Sequence, residues 1–308
     1  METITYSKPV TIDEITALSR DHPNLLIFAV PVMIILTVLE YKISQNHHDG
    51  NYDRKESVSS FFVGLGSVGI NLIFKSIFFL PIIFIYNSVP WRLSFNWWTL
   101  IPCYIIYDLA SYFSHLVSHK CRFWWATHVV HHSSDTYNFS VSFRLSWMQS
   151  LKLIFFFPVM LFGFHPLIFL LTNQIATLFQ FWVHTEYIKK LPAFIEFIFA
   201  TPSNHRVHHG SQPEYIDKNF GATFIIWDRI FGTYASETIK PKYGIGYKLK
   251  KKYNIFYINF HEYSEMFHDV RNAEGIRRKI YFLFGNPSKI YKEKLLAKRI
   301  KNNKYNTK

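Results

Sequence analysis

The run from residue 23 to residue 41, PNLLIFAVPVMIILTVLEY, holds one charged side chain, Glu40, near its end. About 20 mostly apolar residues at 1.5 Å rise each span the hydrocarbon of a bilayer, so this run reads as a first membrane helix. It commits the chain to a lipid environment before anything else is read.

The rest of the first two thirds continues that pattern. A polar loop, KISQNHHDGNYDRKES, precedes VSSFFVGLGSVGINLIFKSIFFLPIIFIYNSV, which reads as one long tilted or kinked helix interrupted by Lys75 and Pro81. PWRLSFNWW supplies interfacial aromatics, and TLIPCYIIYDLASYFSH runs as a third span directly into His115. Beyond residue 146, SWMQSLKLIFFFPVMLFGFHPLIFLLTNQIATLFQFWVH has apolar arms around GFHP, where Gly163 and Pro166 punctuate a turn. The expectation is an all-α integral membrane protein of four to five membrane helices, counting this hairpin. A cytosolic helical cap would carry a histidine-rich di-metal site. Residues 1–22 form a polar segment, 23–235 the membrane-embedded domain and 236–308 a basic cytosolic or interfacial segment.

Composition agrees. Of the residues, 49% are hydrophobic, with 31 Phe, 19 Tyr and 8 Trp. The formal net charge is +13, and 23 of the 34 Lys and Arg lie from His184 onward, leaving 11 in the more apolar part. Without a nucleic-acid-binding motif, that asymmetry reads as a cytosolic surface facing anionic headgroups rather than a nucleic-acid surface. If the basic segments are cytosolic, residues 115–146 and 184–308 share one membrane face. Cys103 and Cys121 allow neither a disulfide framework nor a cysteine zinc site. The first 22 residues lack the apolar core of a signal peptide.

Nine of the 15 histidines concentrate in four places: HLVSH (His115, His119), HVVHH (His128, His131, His132), His184, and HRVHH (His205, His208, His209). On a helix, residues four apart share a face, so His115 and His119 point one way, with Asp108 on roughly the same face. In H-x-x-H-H the first position converges with one of the later two while the third reaches a second ion or an outer position. Eight imidazoles in repeated spacing exceed what one ion uses and suit two; imidazole accepts iron, zinc, copper or nickel alike. His184 joins them by its place after a helix. Asp135, Glu186 and Asp217 lie just beyond the histidine groups and are candidates to receive the second ring N–H of a ligand; Asp135 and Glu186 are the candidate catalytic carboxylates. His22, His165 and His268 read as ordinary satisfied histidines, and His47 and His48 as loop residues in water.

HLVSH, HVVHH and HRVHH, in this order and separation, resemble the membrane fatty acid hydroxylase and sterol desaturase superfamily, firmly over roughly residues 100–235 and including the trailing DKNFGATFIIWDRIFGTY. HHSSDTYNFSVSFR, FWVHTEY and TPSNHRVHHG resemble its alkylglycerol monooxygenase-like branch. The resemblance implies a non-haem di-iron centre at the cytosolic membrane surface, in a bacterial inner membrane or the endoplasmic reticulum. Its ligands would be His115, His119, His128, His131, His132, His205, His208 and His209, with His184 matching a further histidine of the branch. There O₂ would hydroxylate a C–H bond of a fatty acyl, ether or sterol-like lipid. One departure is Leu116, where the first box of the family often has Arg; it bears on the substrate rather than on the metals.

Electrons must come from outside, since the chain has no haem-binding cytochrome module, G-x-G-x-x-G or iron–sulfur cysteine set. A reduced pterin or an electron-transfer protein is implied, the latter docking on the basic stretch YKLKKKYNIFYINFHEYSEMF, although an interfacial face is the simpler reading of that stretch. A desaturase on the same site is the first alternative. A zinc hydrolase is a weaker one, as H-E-x-x-H and G-x-S-x-G are absent. A haem or metal carrier is weaker still, because the histidines cluster at span ends. Phe155, Phe156, Phe157, Phe162 and Phe164 are candidates to line an acyl tunnel or to face lipid. Arg144 and Arg206, beside the boxes, are candidates to meet a phosphate headgroup.

Overall fold

In the computed structural model, which describes residues 7–21 and 24–306, the chain is helical and no strand forms among the described residues. An isolated bridge pairs Phe199 with Phe224. His22 lies outside the described residues.

Helix α1 (Ile12–Arg20) opens on a capping box between Thr11 and Glu14. Helix α2 (Leu25–His47) starts at Asn24, whose side chain accepts from Leu26 N, and stops where His48 turns left-handed (φ 50°). Helix α3 (Arg54–Ser88) runs 35 residues through Pro81 as the single helix expected. A one-turn 3₁₀ segment (Trp97–Thr99) leads into α4 (Leu100–Lys120). One extended residue, Cys121 (φ −124°, ψ 121°), then folds α5 (Arg122–His132) back along α4.

A short 3₁₀ turn (Phe139–Phe143) precedes the hairpin. Its first arm is a 3₁₀ helix (Gln149–Phe156) that becomes α6 (Phe157–Met160); its second is α7 (Pro166–Trp182). The change to α-helix falls with Pro158 in the first turn of α6, where its missing N–H costs no intrahelical bond. His165 caps α7, accepting from Leu167 N at 3.2 Å. The remaining helices are α8 (Ala193–Ile198), α9 (Pro202–His208), α10 (Ile226–Phe231), α11 (Ile255–Asn272), α12 (Ile276–Phe284) and α13 (Pro287–Asn306). Arg122 of α5 is ion-paired to Glu262 and Asp269 of α11, both at 2.7 Å, which fastens α11 across the back of α5.

Two segments are long and apolar enough to cross a bilayer, Leu25–His47 and Trp97–Lys120. Their setting is that of a membrane protein: Ile27 and Phe28 of α2, and Leu72, Ile73 and Phe84 of α3, stand largely uncovered on the outside of the fold. The hairpin arms are shorter; the 17 residues of α7 reach about 26 Å against roughly 30 Å of hydrocarbon.

A buried cluster that includes Ile82, Tyr86, Cys103, Tyr107, Met160, Phe164, Ile168 and Phe169 locks α3, α4, α6 and α7 together below the histidines. Two glycines permit that packing. A Cβ on Gly66 would lie 2.6 Å from Trp147 Nε1, which donates to Val63 O, and a Cβ on Gly163 would lie 2.3 Å from Trp91 O. Gly163 also has φ +78°, where a side chain is strained regardless of space. Gly163→Ala should therefore cost at least about 2 kcal/mol of stability. Gly69→Ala, in open space on a helix, should be neutral or stabilising. Thermal unfolding of the two variants in one detergent checks this, and equal midpoints would contradict it.

Candidate metal centre

The nine grouped histidines are supplied by three helices and one helix end. His115 and His119 close the end of α4; His128, His131 and His132 occupy α5; His184 lies just past α7; His205 and His208 lie on α9, and His209 caps it. Their ring nitrogens form two groups, each with donors within 4.8 Å of one another: His115, His119, His128, His132 and His208 in one, His131, His184, His205 and His209 in the other. Each H-x-x-H-H is split between the groups. The members four apart, His128 with His132 and His205 with His209, go to opposite groups as pairs, and the middle histidine, His131 or His208, crosses to the other side. A helix turns about 100° per residue, so positions i and i+4 nearly coincide in direction while i+3 is displaced. The ring of His132 stacks on that of His209, centroids 4.4 Å apart, where the two groups meet.

Within the groups, Nε2 faces Nε2. His128 lies 2.8 Å from His115 and 3.2 Å from His132, and His132 lies 3.0 Å from His208. In the second group His131 is 3.1 Å from both His184 and His209, and His184 is 3.1 Å from His205. The other nitrogen fixes the tautomer of three of these rings. Nδ1 of His115 donates to Phe220 O at 2.9 Å, Nδ1 of His208 to Lys218 O at 3.0 Å and Nδ1 of His184 to Gln180 O at 2.7 Å. A carbonyl only accepts, so Nδ1 holds the proton and Nε2 presents a lone pair. Burial keeps the rings neutral: His128, His131, His132, His205, His208 and His209 are held well below the usual histidine range, and His184 is pushed down to about 4. His119 Nε2 is buried without a hydrogen-bond partner. Buried neutral imidazoles converging through Nε2, three of them with that nitrogen free of a proton, are a donor set suited to a Lewis acid. Nitrogens about 2.1 Å from an ion are about 3.0 Å apart in adjacent octahedral positions and about 3.4 Å apart in a tetrahedron. The spacing here fits the former.

The carbonyls that set the tautomers of His115 and His208 come from residues 217–220, a left-handed stretch with Asp217 at φ 62° and Asn219 at φ 57°. Asn tolerates that region, and its side chain holds the loop, donating to Asn204 O (2.9 Å) and Ala235 O (2.8 Å) and accepting from Ala235 N (2.8 Å). Two buried carboxylates anchor residues 220–227. Asp228 accepts from Phe220 N and Gly221 N, and Asp108 from Thr223 N, Phe224 N and Trp227 Nε1.

The three candidate acids separate. Asp217 lies 3.6 Å from His119 Nδ1 and is paired with Lys120 at 2.6 Å. Glu186 accepts from the Tyr243 hydroxyl; the Tyr243 ring stacks on Tyr137, whose ring lies against His184 and His209. Asp135 is at the surface with Lys252 at 3.0 Å and touches no histidine among the described residues. Arg144 and Arg206 turn inward instead of meeting a headgroup. Arg144, pushed down to about 10 by burial, donates to Val130 O and Ser133 Oγ at the end of α5. Arg206 is forked onto Glu237 and bonds Thr185 O and Ile188 O. Sequence reasoning passed over Glu40, buried in α2, which accepts from Tyr52, Phe139 N and Thr185 and so fixes the residue after His184. It also passed over Asn219, which sits in no local motif.

Comparison with known proteins agrees with this geometry. A family model described as fatty acid hydroxylase matches residues 100–233, the span that holds all nine histidines. Residues 100–233 thus resemble the fatty acid hydroxylases, and the relatives below support the fatty acid hydroxylase and sterol desaturase superfamily. Alkylglycerol monooxygenase of Danio rerio is 33% identical over 265 residues, covering 84% of this chain and 58% of that protein. The Homo sapiens alkylglycerol monooxygenase is 32% identical over 274 residues, covering 86% and 60%. An ornithine lipid hydroxylase of Rhizobium tropici is 24% identical over 146 residues, covering 47% and 43%. The chain thus spans about three fifths of the length of the first two relatives. No solved structure matches the chain significantly.

Asn219→Ala leaves every histidine in place but frees the loop that fixes His115 and His208. It should weaken metal retention about tenfold to a hundredfold, the usual cost of losing an outer partner. Dialysis against chelators of graded strength measures this; retention equal to wild type would show that the loop does not tune the site.

Proposed function

We propose that the protein is a membrane-bound non-haem di-iron oxygenase that hydroxylates a C–H bond of a lipid, with an ether lipid as the first substrate to try. The observation that carries this reading is the division of nine neutral imidazoles into a group of five and a group of four, with adjacent nitrogens 2.8–3.2 Å apart. Five nitrogen donors exceed the tetrahedral set that zinc prefers and suit iron. The alkylglycerol monooxygenases among the relatives direct attention to ether lipids.

His115, His119, His128, His132 and His208 would hold one ion and His131, His184, His205 and His209 the other. The pair supplies the activation of O₂ and the oxidation of the C–H bond when bound. The chain binds, orients and excludes water. Residues 217–220 and Gln180 keep the ligand imidazoles in one tautomer. Glu186 acts through Tyr243 and Tyr137 to position His184 and His209, and Asp135 pairs with Lys252 to hold the turn after α5. Phe156, stacked on Tyr107 at 4.5 Å, and Phe155, packed on Trp124 at 4.9 Å, form an apolar wall between the hairpin and the histidine helices along which a lipid chain would lie. Phe164 belongs to the packed core, and Phe162 is exposed. The reductant, an external pterin or electron-transfer protein, belongs to the same proposal, as does the cytosolic orientation of the site. The zinc-hydrolase alternative has no support from a carboxylate among the nine grouped donors.

With iron-loaded protein, a reduced pterin and ¹⁸O₂, an ether lipid should give a product carrying one ¹⁸O atom, and no product should form under argon. Hydroxylation beside the ether oxygen gives a hemiacetal that breaks to an aldehyde, whereas an unsaturated product carrying no ¹⁸O would establish the desaturase instead. His131→Ala and His132→Ala, which damage different groups, should each reduce turnover at least about a hundredfold. Product formation without O₂ would refute the oxygenase.

A further inference from the structure

Lys152 is a site-facing group that the proposed mechanism leaves unused. Its side chain is 6% exposed, on the 3₁₀ arm of the hairpin, and no acceptor among the described residues bonds its ammonium. Ser150, also buried, shares the arm. In a 3₁₀ helix residues three apart eclipse, so Lys152 lies over Phe155. The Phe155 ring packs edge-on against Trp124 at 4.9 Å, and Trp124 shares a face of α5 with His128, four residues on. The arm that carries Lys152 packs against α4 and α5, the helices of His115, His119, His128, His131 and His132. A buried cation without a counterion is a costly arrangement, and an apolar wall beside the metal-binding groups is where a lipid chain would pass.

We propose that Lys152 binds a substrate oxygen adjacent to the attacked carbon, so that the enzyme selects a lipid linkage, ether, ester or carboxylate, over plain hydrocarbon. This rests on the lipid-oxygenase reading and names its selectivity. An ammonium donor desolvated beside aromatic rings gains most from an acceptor delivered by the ligand. A site built to bond an oxygen rejects the analogue that lacks it, because the buried donor is then left unpaired. Lys152 thereby fixes which carbon lies beside the histidine groups.

The test is equilibrium binding under argon to the purified, metal-loaded protein, with three radiolabelled probes: 1-O-hexadecylglycerol, its palmitoyl ester, and the analogue in which CH₂ replaces the ether oxygen. Wild type should prefer the ether to the methylene analogue by about tenfold or more. Lys152→Met, of similar length, and Lys152→Gln should lose that preference, while Lys152→Arg keeps part of it. Metal content should be unchanged in all three, and the Met variant should unfold at the same or a higher temperature, since an unpaired buried charge is gone. A preference that survives in Lys152→Met, or a wild type that binds ether and methylene analogues alike, overturns the assignment while leaving the oxygenase reading intact. Binding of none of the three lipids would overturn both. Tighter retention of the ester than the ether, lost in the same variants, would support the donor role and identify the ester as its partner.

Discussion

Nine buried imidazoles are gathered here with Nε2 facing Nε2, and the rest of the structure is built to hold them in that arrangement. The surroundings are arranged to keep the rings from any other solution. Carbonyls of Gln180, Lys218 and Phe220 take the Nδ1 protons, and burial opposes protonation at Nε2. Every helix that contributes a histidine is then oriented by what its rings must face.

The two H-x-x-H-H motifs are interleaved rather than assigned one to each ion. Because His131 and His208 cross over, neither group can form from α5 or α9 alone. The folding consequence is that the first group needs α4, α5 and α9 together, and the second needs α5, the end of α7 and α9. The supports reflect that: Arg144 and Ser133 hold the end of α5, Glu40 ties α2 to the residue after His184, and Asp108 and Asp228 pin the loop that serves α4 and α9. These buried charges are expensive, and each is met by several donors or acceptors.

Much of this was readable in the sequence where chemistry keeps to a helical period. The spacing of His115 with His119, and of the H-x-x-H-H copies, marked the histidine cluster, and apolar runs marked α2, α3 and α4. Which histidine joined which group was not readable, since it depends on the angle at which α5 meets α9. The first hairpin arm read as an ordinary apolar helix, but it is a 3₁₀ segment that buries Lys152. Asp135 and Glu186 looked equivalent by proximity to histidines in the chain; in space one lies at the surface and the other acts through two tyrosines. Asn219 and Glu40 carried no motif, because their work is to hold backbone, and backbone position is set by tertiary contacts.

The central claim, that the nine histidines hold two octahedrally inclined metal ions, is tested most directly by metal analysis and X-ray absorption of the purified protein. The account predicts close to two irons per chain, ligated by nitrogen at about 2.1 Å with several imidazoles on each. One ion per chain, or zinc in a four-coordinate site that iron cannot replace under argon, would contradict it.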